Sequence, residues 1–524
     1  MSGTLHLFVS RVLLGLTLLG VAVLTRAEAL GAEVGTVRLQ IVGPGESGAA
    51  ELMPARVSLS GPDGEPVLPP GLPNWRDHFN CDGSVELDLD PGSYAYVVER
   101  GPEFTRSAGQ FALEGGKRLD LTVPLERLVD LPALGWYSGE THVHRPPSDL
   151  PLLLRSEDLH LAPVLTVWNR TSSWRDRPLP DQRLLEPEPG RAYHLMACED
   201  ERRGGALLYF NLDRPLDLDA DGPEAPSPVV HLREAVAGQG AWVDVEKPFW
   251  WDMPTWVATG HVRSIGIAHN HMWRLGVLDN EAWGRPRDRD QYPAPRGNGL
   301  YTQDIYYRLL NCGLRIPPSA GSASGVLPNP VGYNRVYVHL DAPFSYEAWW
   351  QGLAEGRSFV TNGPLLLVRA NGERPGAVLR SPDGEPVRID LDVRIWSNDP
   401  IEAIEVVRDG QVVHRIDDPD LGEPIRLEAL DFDQGGWCLV RAIADVPETF
   451  RFASTAPFYV EVGEPRRPVR RADVEFFLRW IDARVEAIEA DPEGHLADPS
   501  AKQGVLEPHR EARRFFERLL GQAE

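Results

Sequence analysis

Cysteine is scarce and scattered. The 524 residues include only four, Cys81, Cys198, Cys312 and Cys438, and none belongs to a Cys-x-x-Cys pair. That spacing excludes a disulfide-built scaffold and a zinc ribbon, and leaves buried free thiols as the expected state. Basic charge is also in deficit. Fifty-three Lys and Arg stand against 77 Asp and Glu, a formal net charge of −24 with a pI ≈ 5.1. A field of that sign repels nucleic acid and anionic membranes, so neither is an expected partner. After the N-terminus there is no run of 18 uninterrupted apolar residues, and so no stable membrane span is expected. No internal repeat or low-complexity tract is evident.

What is present is ordinary globular material, 42% hydrophobic and 25% charged, long enough for several cores and roughly three or four domains. Residues 1–29 read as an export signal, with Arg11 as the basic residue, Val12–Leu24 as a short apolar core and Ala27-Glu28-Ala29 as a small-x-small cleavage site. The expectation is a periplasmic or extracellular protein, with an uncleaved N-terminal anchor as the alternative.

Residues 34–125 carry short alternating runs (VRLQIV, ARVSLS, SVELDLD, SYAYVVE) between Gly, Pro and Asp turns, which predicts a β-sandwich. This segment resembles the carboxypeptidase-regulatory-like accessory domains of secreted proteins. Over 128–364 strands alternate with helical segments, which predicts an α/β core. Helices are expected at Thr302–Cys312 and at Ser345–Glu355, the latter N-capped by Ser345. The long Pro- and Arg-rich stretch Asn280–Gly299 reads as a lid or binding loop. Alternation returns over 365–465 as a second β-sandwich. Residues 470–524 form a helical tail, with an amphipathic helix at Arg471–Ala490 and a partner at Glu507–Leu520.

The chemistry concentrates in Leu134–Arg145, LGWYSGETHVHR. On an extended strand His142 and His144 point the same way, a half-site for a divalent metal. With 14 His in the chain, chance alone supplies about 0.4 His-x-His pairs, so a second pair, His269 and His271, adds weight. Ile265, Ile267, His269 and His271 fall on one face of a predicted strand, apolar then polar. In WVDVEKPFWW, Asp244 and Glu246 share a face and could supply carboxylates.

GWYSGETHVHR resembles the opening motif of the PHP (polymerase and histidinol phosphatase) superfamily, in its secreted CehA/McbA-like metallohydrolase branch. EAWWQGLAEGRSFVTNGPLLLVRANGERPGAVL, Glu347–Leu379, is similar to the same branch. The resemblance implies a distorted (β/α)7 barrel, with His142 and His144 as metal ligands and Glu199, in YHLMACEDERRGG, at the place of a bridging carboxylate. The chain departs from the family pattern at three places. Thr166-Val167-Trp168-Asn169 stands where Thr-Asp-His-Asn is usual, Gly321-Ser322-Ala323-Ser324-Gly325 where Gly-Ser-Asp-x-His is usual, and Arg203-Gly204-Gly205-Ala206 lacks a His. A full trinuclear centre is therefore not expected.

Two readings of function follow. In the first, a secreted hydrolase holds one or two divalent ions (Zn, Mn or Fe) on His142, His144, Glu199 and one or both of His269 and His271. Glu246 is then the general base, and Lys247 or Arg145 stabilises developing negative charge. The resemblance implies phosphoester, carbamate or ester substrates. In the second, the protein is catalytically inactive and binds carbohydrate or another small ligand in a cleft rich in tryptophan (Trp168, Trp174, Trp250, Trp251, Trp256, Trp273, Trp283).

Overall fold

The computed structural model describes residues 33–45, 49–218, 222–464 and 467–523. The expected export signal lies outside the described residues. Among them, no helix is long and apolar enough to cross a membrane.

The N-terminal sandwich follows from its alternation. In Gly35–Pro44 the side chains of Val37, Leu39 and Ile41 are buried while Arg38 is exposed. This strand pairs antiparallel with Ser84–Leu89 and parallel with Arg118–Pro124. The facing sheet is built from His78–Cys81, Ala55–Ser60, Gly92–Glu99 and Ser107–Leu113. One apolar core, including Val57, Phe79, Val98 and Phe104, lies between the two sheets.

The central body is mixed α/β and mostly strand. Trp136–Gly139 pairs parallel with Leu161–Trp168, which pairs parallel with Arg191–Arg202. Gly205–Phe210 then runs antiparallel between Arg191–Arg202 and Trp242–Val245. Parallel pairing resumes from Trp242–Val245 to Val262–Ala268 and on to Pro318–Ala320. These strands are buried on both faces, as expected of sheets with parallel stretches. Of the expected barrel the structure gives the coarser part, a mixed α/β body with several sheets, and the strand ladders of the described residues do not close a barrel.

The C-terminal sandwich is continuous with this body. Ser358–Thr361 pairs with Arg335–His339 on one side and with Phe452–Thr455 on the other. A three-stranded sheet of Leu365–Ala370, Val387–Trp396 and Ile425–Phe432 shares a core with Ile401–Arg408 and Gly436–Ala444 of the long sheet. The helix expected from Thr302 begins at Gly297 and ends at Asn311. A Cβ at Gly299 would lie 2.2 Å from Phe450 Cδ1, so close packing there overrides the poor helical propensity of glycine. The helix Tyr346–Ala354 has the expected cap, with Ser345 Oγ accepting from Ala348 N at 3.2 Å. The tail helices run Arg471–Ala490 and Pro499–Leu520. The second starts eight residues earlier than expected because Asp498 caps Ala501 N at 2.9 Å and Pro499 occupies the first turn. All four cysteines are free and buried, as expected.

Candidate metal centre

The regular strand that begins at Trp136 ends at Gly139, three residues short of the first histidine. Gly139 is needed there, because a Cβ would meet Trp349 Cζ2 at 2.4 Å. Thr141–His144 continues as an extended segment gripped from both sides. On one side Thr141 N donates to Ala320 O at 3.0 Å, Ala323 N to His142 O at 2.8 Å and His144 N to Ser324 O at 2.9 Å. On the other, Leu165 N donates to Val143 O at 2.8 Å. Glu140 fixes the neighbouring loop by accepting from Ser322 N at 2.6 Å and from Gly332 N. Its burial pushes the carboxyl up to about 7.

His142 and His144 converge as the alternation predicts, with Nε2 atoms 3.1 Å apart. Glu199, from the strand Arg191–Arg202, brings Oε2 to 3.0 Å from His144 Nε2 and 3.6 Å from His142 Nε2. Glu199 Oε2 is buried yet accepts no aligned hydrogen bond. The three atoms converge on a shared point. Ligands about 2.0–2.2 Å from one ion sit roughly 3.0–3.5 Å from each other, so these separations suit one divalent cation. The group could hold a metal ion. Burial opposes a charge on His142, but Glu199 and Glu246 outweigh it and push the imidazole up to about 10. Burial would raise Glu199, and His142 and His144 instead hold it down to about 2.

Glu246 lies behind His142. Its Oε1 is 3.2 Å from His142 Nδ1, accepts from Asn270 Nδ2 at 2.7 Å, and is ion-paired with Lys247 Nζ. Burial would raise this carboxyl, but Lys247 and His142 hold it well below the usual range. Glu246 Oε1 against His142 Nδ1 is the arrangement in which a carboxylate orients an imidazole ring. Lys247 is buried, with Nζ 4.5 Å from the Trp250 ring centroid. Asp244, expected to offer its carboxylate, is buried and bonded by the hydroxyls of Ser264 and Ser319.

Two expected ligands and one expected catalytic residue lie elsewhere. His269 and His271 are not in the convergent group among the described residues. His269 Nε2 is 2.9 Å from Thr302 Oγ1, and its Nδ1 accepts from His271 N at 3.3 Å, which occupies both ring nitrogens. His271 Nδ1 is 2.9 Å from Asn280 O. Burial pushes His269 well below the usual range and His271 down to about 3, so both are neutral. Arg145 points to the N-terminal sandwich, bonding Asp149 Oδ2 at 2.9 Å and lying 5.6 Å from the Trp75 ring centroid. The Asn280–Gly299 stretch is pinned by the buried Arg287, ion-paired with Asp279 and Glu281. In the tryptophan-rich set, Trp250 and Trp256 are buried in the core and cannot stack on a ligand, whereas Trp283 is 47% exposed.

One site residue escaped sequence reasoning. Glu201 follows Glu199 by two on the same strand and so shares its face. It reads as part of a surface acidic cluster, yet Trp168 Nε1 donates to its Oε2 at 3.0 Å, and the Trp168 ring packs 5.2 Å from that of His144. Burial, then the charges of Glu199 and Glu246, push Glu201 up to about 7. Glu201 also lines an open groove of about 660 Å³, adjoining solvent included, with Asn169 and Arg202. The two-residue spacing from Glu199 was the signal that could have marked it.

No known family profile matches the chain, and no curated protein is detectably similar. Among solved structures, the minor pilin GBS52 of Streptococcus agalactiae is 15% identical over 19% of this chain and 47% of its own, with a TM-score of 0.17. The Bacillus anthracis TIE protein is 9% identical over 82% of this chain and 49% of its own, at 0.14. Apo β-glucuronidase 3 of Bacteroides uniformis is 11% identical over 80% and 61%, at 0.16. The chain thus spans about half to three fifths of these structures, and scores this low carry no assignment of fold or function.

Proposed function

We propose that the protein is a PHP-like hydrolase of the CehA/McbA type, exported and dependent on a divalent metal, acting on phosphoester, carbamate or ester bonds. The observation that carries this reading is the convergence of His142, His144 and Glu199 on one buried point, with Glu199 Oε2 3.0 Å from His144 Nε2 and 3.6 Å from His142 Nε2. The barrel reading draws support from the backbone bonds that set Thr141–His144 between Leu165 and the Ala320–Ser324 segment, beyond the ends of the regular ladders. A zinc, manganese or iron ion held by these three residues would supply Lewis acidity toward an ester or phosphoryl oxygen and ease ionisation of water.

The protein's own groups have separable tasks. Glu246 holds His142 through Nδ1, which leaves Nε2 as the ligand nitrogen. Lys247 places a buried ammonium beside Glu246, a positive charge within the site that offsets charge gathering on a departing oxygen. Glu201, at the groove and on the face of Glu199, is placed to exchange a proton with substrate arriving from solvent.

The test is metal analysis of protein purified without chelator and then incubated with zinc, manganese or iron salts. About one ion per chain is expected, falling to near zero in His142→Ala and His144→Ala with the circular dichroism spectrum unchanged. Hydrolysis of nitrophenyl phosphodiester and carboxyl-ester probes should be lost in the same variants. Wild-type protein that binds none of the three metals would end the hydrolase reading.

A further inference from the structure

We propose that the junction of the N-terminal sandwich, the central body and the C-terminal sandwich is a binding site for a compact oxyanion: a phosphate, sulfate or carboxylate group, free or terminal on a small organic molecule. An open recess of about 550 Å³, adjoining solvent included, lies where the three parts meet. Five arginines line it: Arg56 and Arg106 from the first part, Arg274 and Arg335 from the second, and Arg451 from the third. Only three carboxylates, Glu99, Glu157 and Asp399, line it with them.

An ion-pair weld between domains explains part of this set. Arg56 reaches Glu99 at 3.0 Å and Glu157 at 2.9 Å, Arg106 reaches Glu99 and Asp399 at 3.1 Å each, and Arg451 pairs with Asp399. Arg274 pairs with Asp77, outside the lining. The weld leaves cationic capacity over. Arg335 is 2% exposed, and its hydrogen bonds to Gly332, Asp158 and Glu157 all end on backbone carbonyls, with no carboxylate within ion-pair distance among the described residues. Arg451 Nε is buried and donates no hydrogen bond. Burial and the neighbouring Arg56 push the Arg274 guanidinium below its usual value. Five guanidinium groups against three carboxylates in the lining, with Arg335 paired to none of them and Arg451 Nε unused, suit a tetrahedral or planar oxyanion.

The test is calorimetric titration of the full chain with inorganic phosphate and with sulfate at constant ionic strength, with melting temperature followed in parallel. Saturable binding is expected, with a melting temperature that rises with ligand. Arg106→Gln and Arg274→Gln lie at the less buried edge and should each weaken binding about ten-fold, whereas Arg513→Gln on the tail should not. Binding should persist in His144→Ala protein, which separates this site from the metal centre and from the hydrolase reading. Absence of saturable binding, or equal binding in Arg106→Gln, Arg274→Gln and wild type, would overturn the proposal.

Discussion

At the scale of single residues, the centre depends on which partner each polar atom has. Glu246 faces His142 Nδ1, is neutralised by Lys247 and accepts a further bond from Asn270. A carboxylate in that position holds the ring plane of the histidine in front of it. Glu246→Gln should therefore weaken metal binding about 10- to 100-fold, as measured by competition with a chromogenic chelator. A residue acting only as a base would leave metal affinity unchanged and reduce rate alone. The two outcomes separate the roles without any substrate being known.

At the scale of elements, the site is assembled by contacts that sequence pattern conveys unevenly. Gly321 illustrates this, since a Cβ there would lie 2.3 Å from His142 Cβ, against the side chain that must be held in place. Gly321→Ala should lower metal affinity and cost about 1–3 kcal/mol of stability, read by the same chelator competition and by denaturant unfolding. Gly260→Ala has nothing within 4 Å of the new Cβ, and its penalty, from a φ of +74° alone, should leave metal binding untouched. The sequence made the sandwiches, the Ser345 cap and the Arg471–Ala490 helix legible because alternation, capping and helical period are local. His142 and His144 were legible for the same reason, and Glu199 through motif resemblance. Glu201, the glycine required at 139 and the glycine tolerated in the helix at 299 were not, since each meets a partner distant in sequence: Trp168, Trp349 and Phe450. His269 and His271 looked like ligands because alternation reports which side chains share a face. It does not report that His269 Nε2 meets Thr302, that His271 Nδ1 meets Asn280 O, or that neither ring joins the His142, His144 and Glu199 group among the described residues.

At the scale of the whole molecule, the helical tail is tied into the body close to the site. Arg484 bonds Asp252 at 2.7 Å, Trp480 Nε1 donates to Trp251 O at 3.0 Å, and His509 Nδ1 is 2.6 Å from Thr255 Oγ1. These contacts hold the turn that follows Lys247 and carries Trp250. His509 is 1% exposed, and burial pushes its imidazole down to about 4. Because the folded value lies below the unfolded one of about 6.5, the unfolded chain binds the extra proton between those values. The stability that His509 contributes is complete above pH 6.5 and is lost progressively as pH falls toward 4. Burial acts the same way on His78, pushed down to about 4, and on His160, pushed down to about 3. Buried carboxyls with raised values act in the opposite sense, losing stability as pH rises; Glu103, pushed up to about 8, and Glu140, to about 7, are two. The wild-type profile mixes both signs, so the contribution of His509 is best read by difference. His509→Gln should be less stable than wild type at pH 7.5, through loss of the bond to Thr255, and the gap should narrow by about 1–2 kcal/mol at pH 5. Denaturant unfolding at the two pH values measures it, and a gap that stays constant or widens on acidification would show that His509 is not held neutral by the tail.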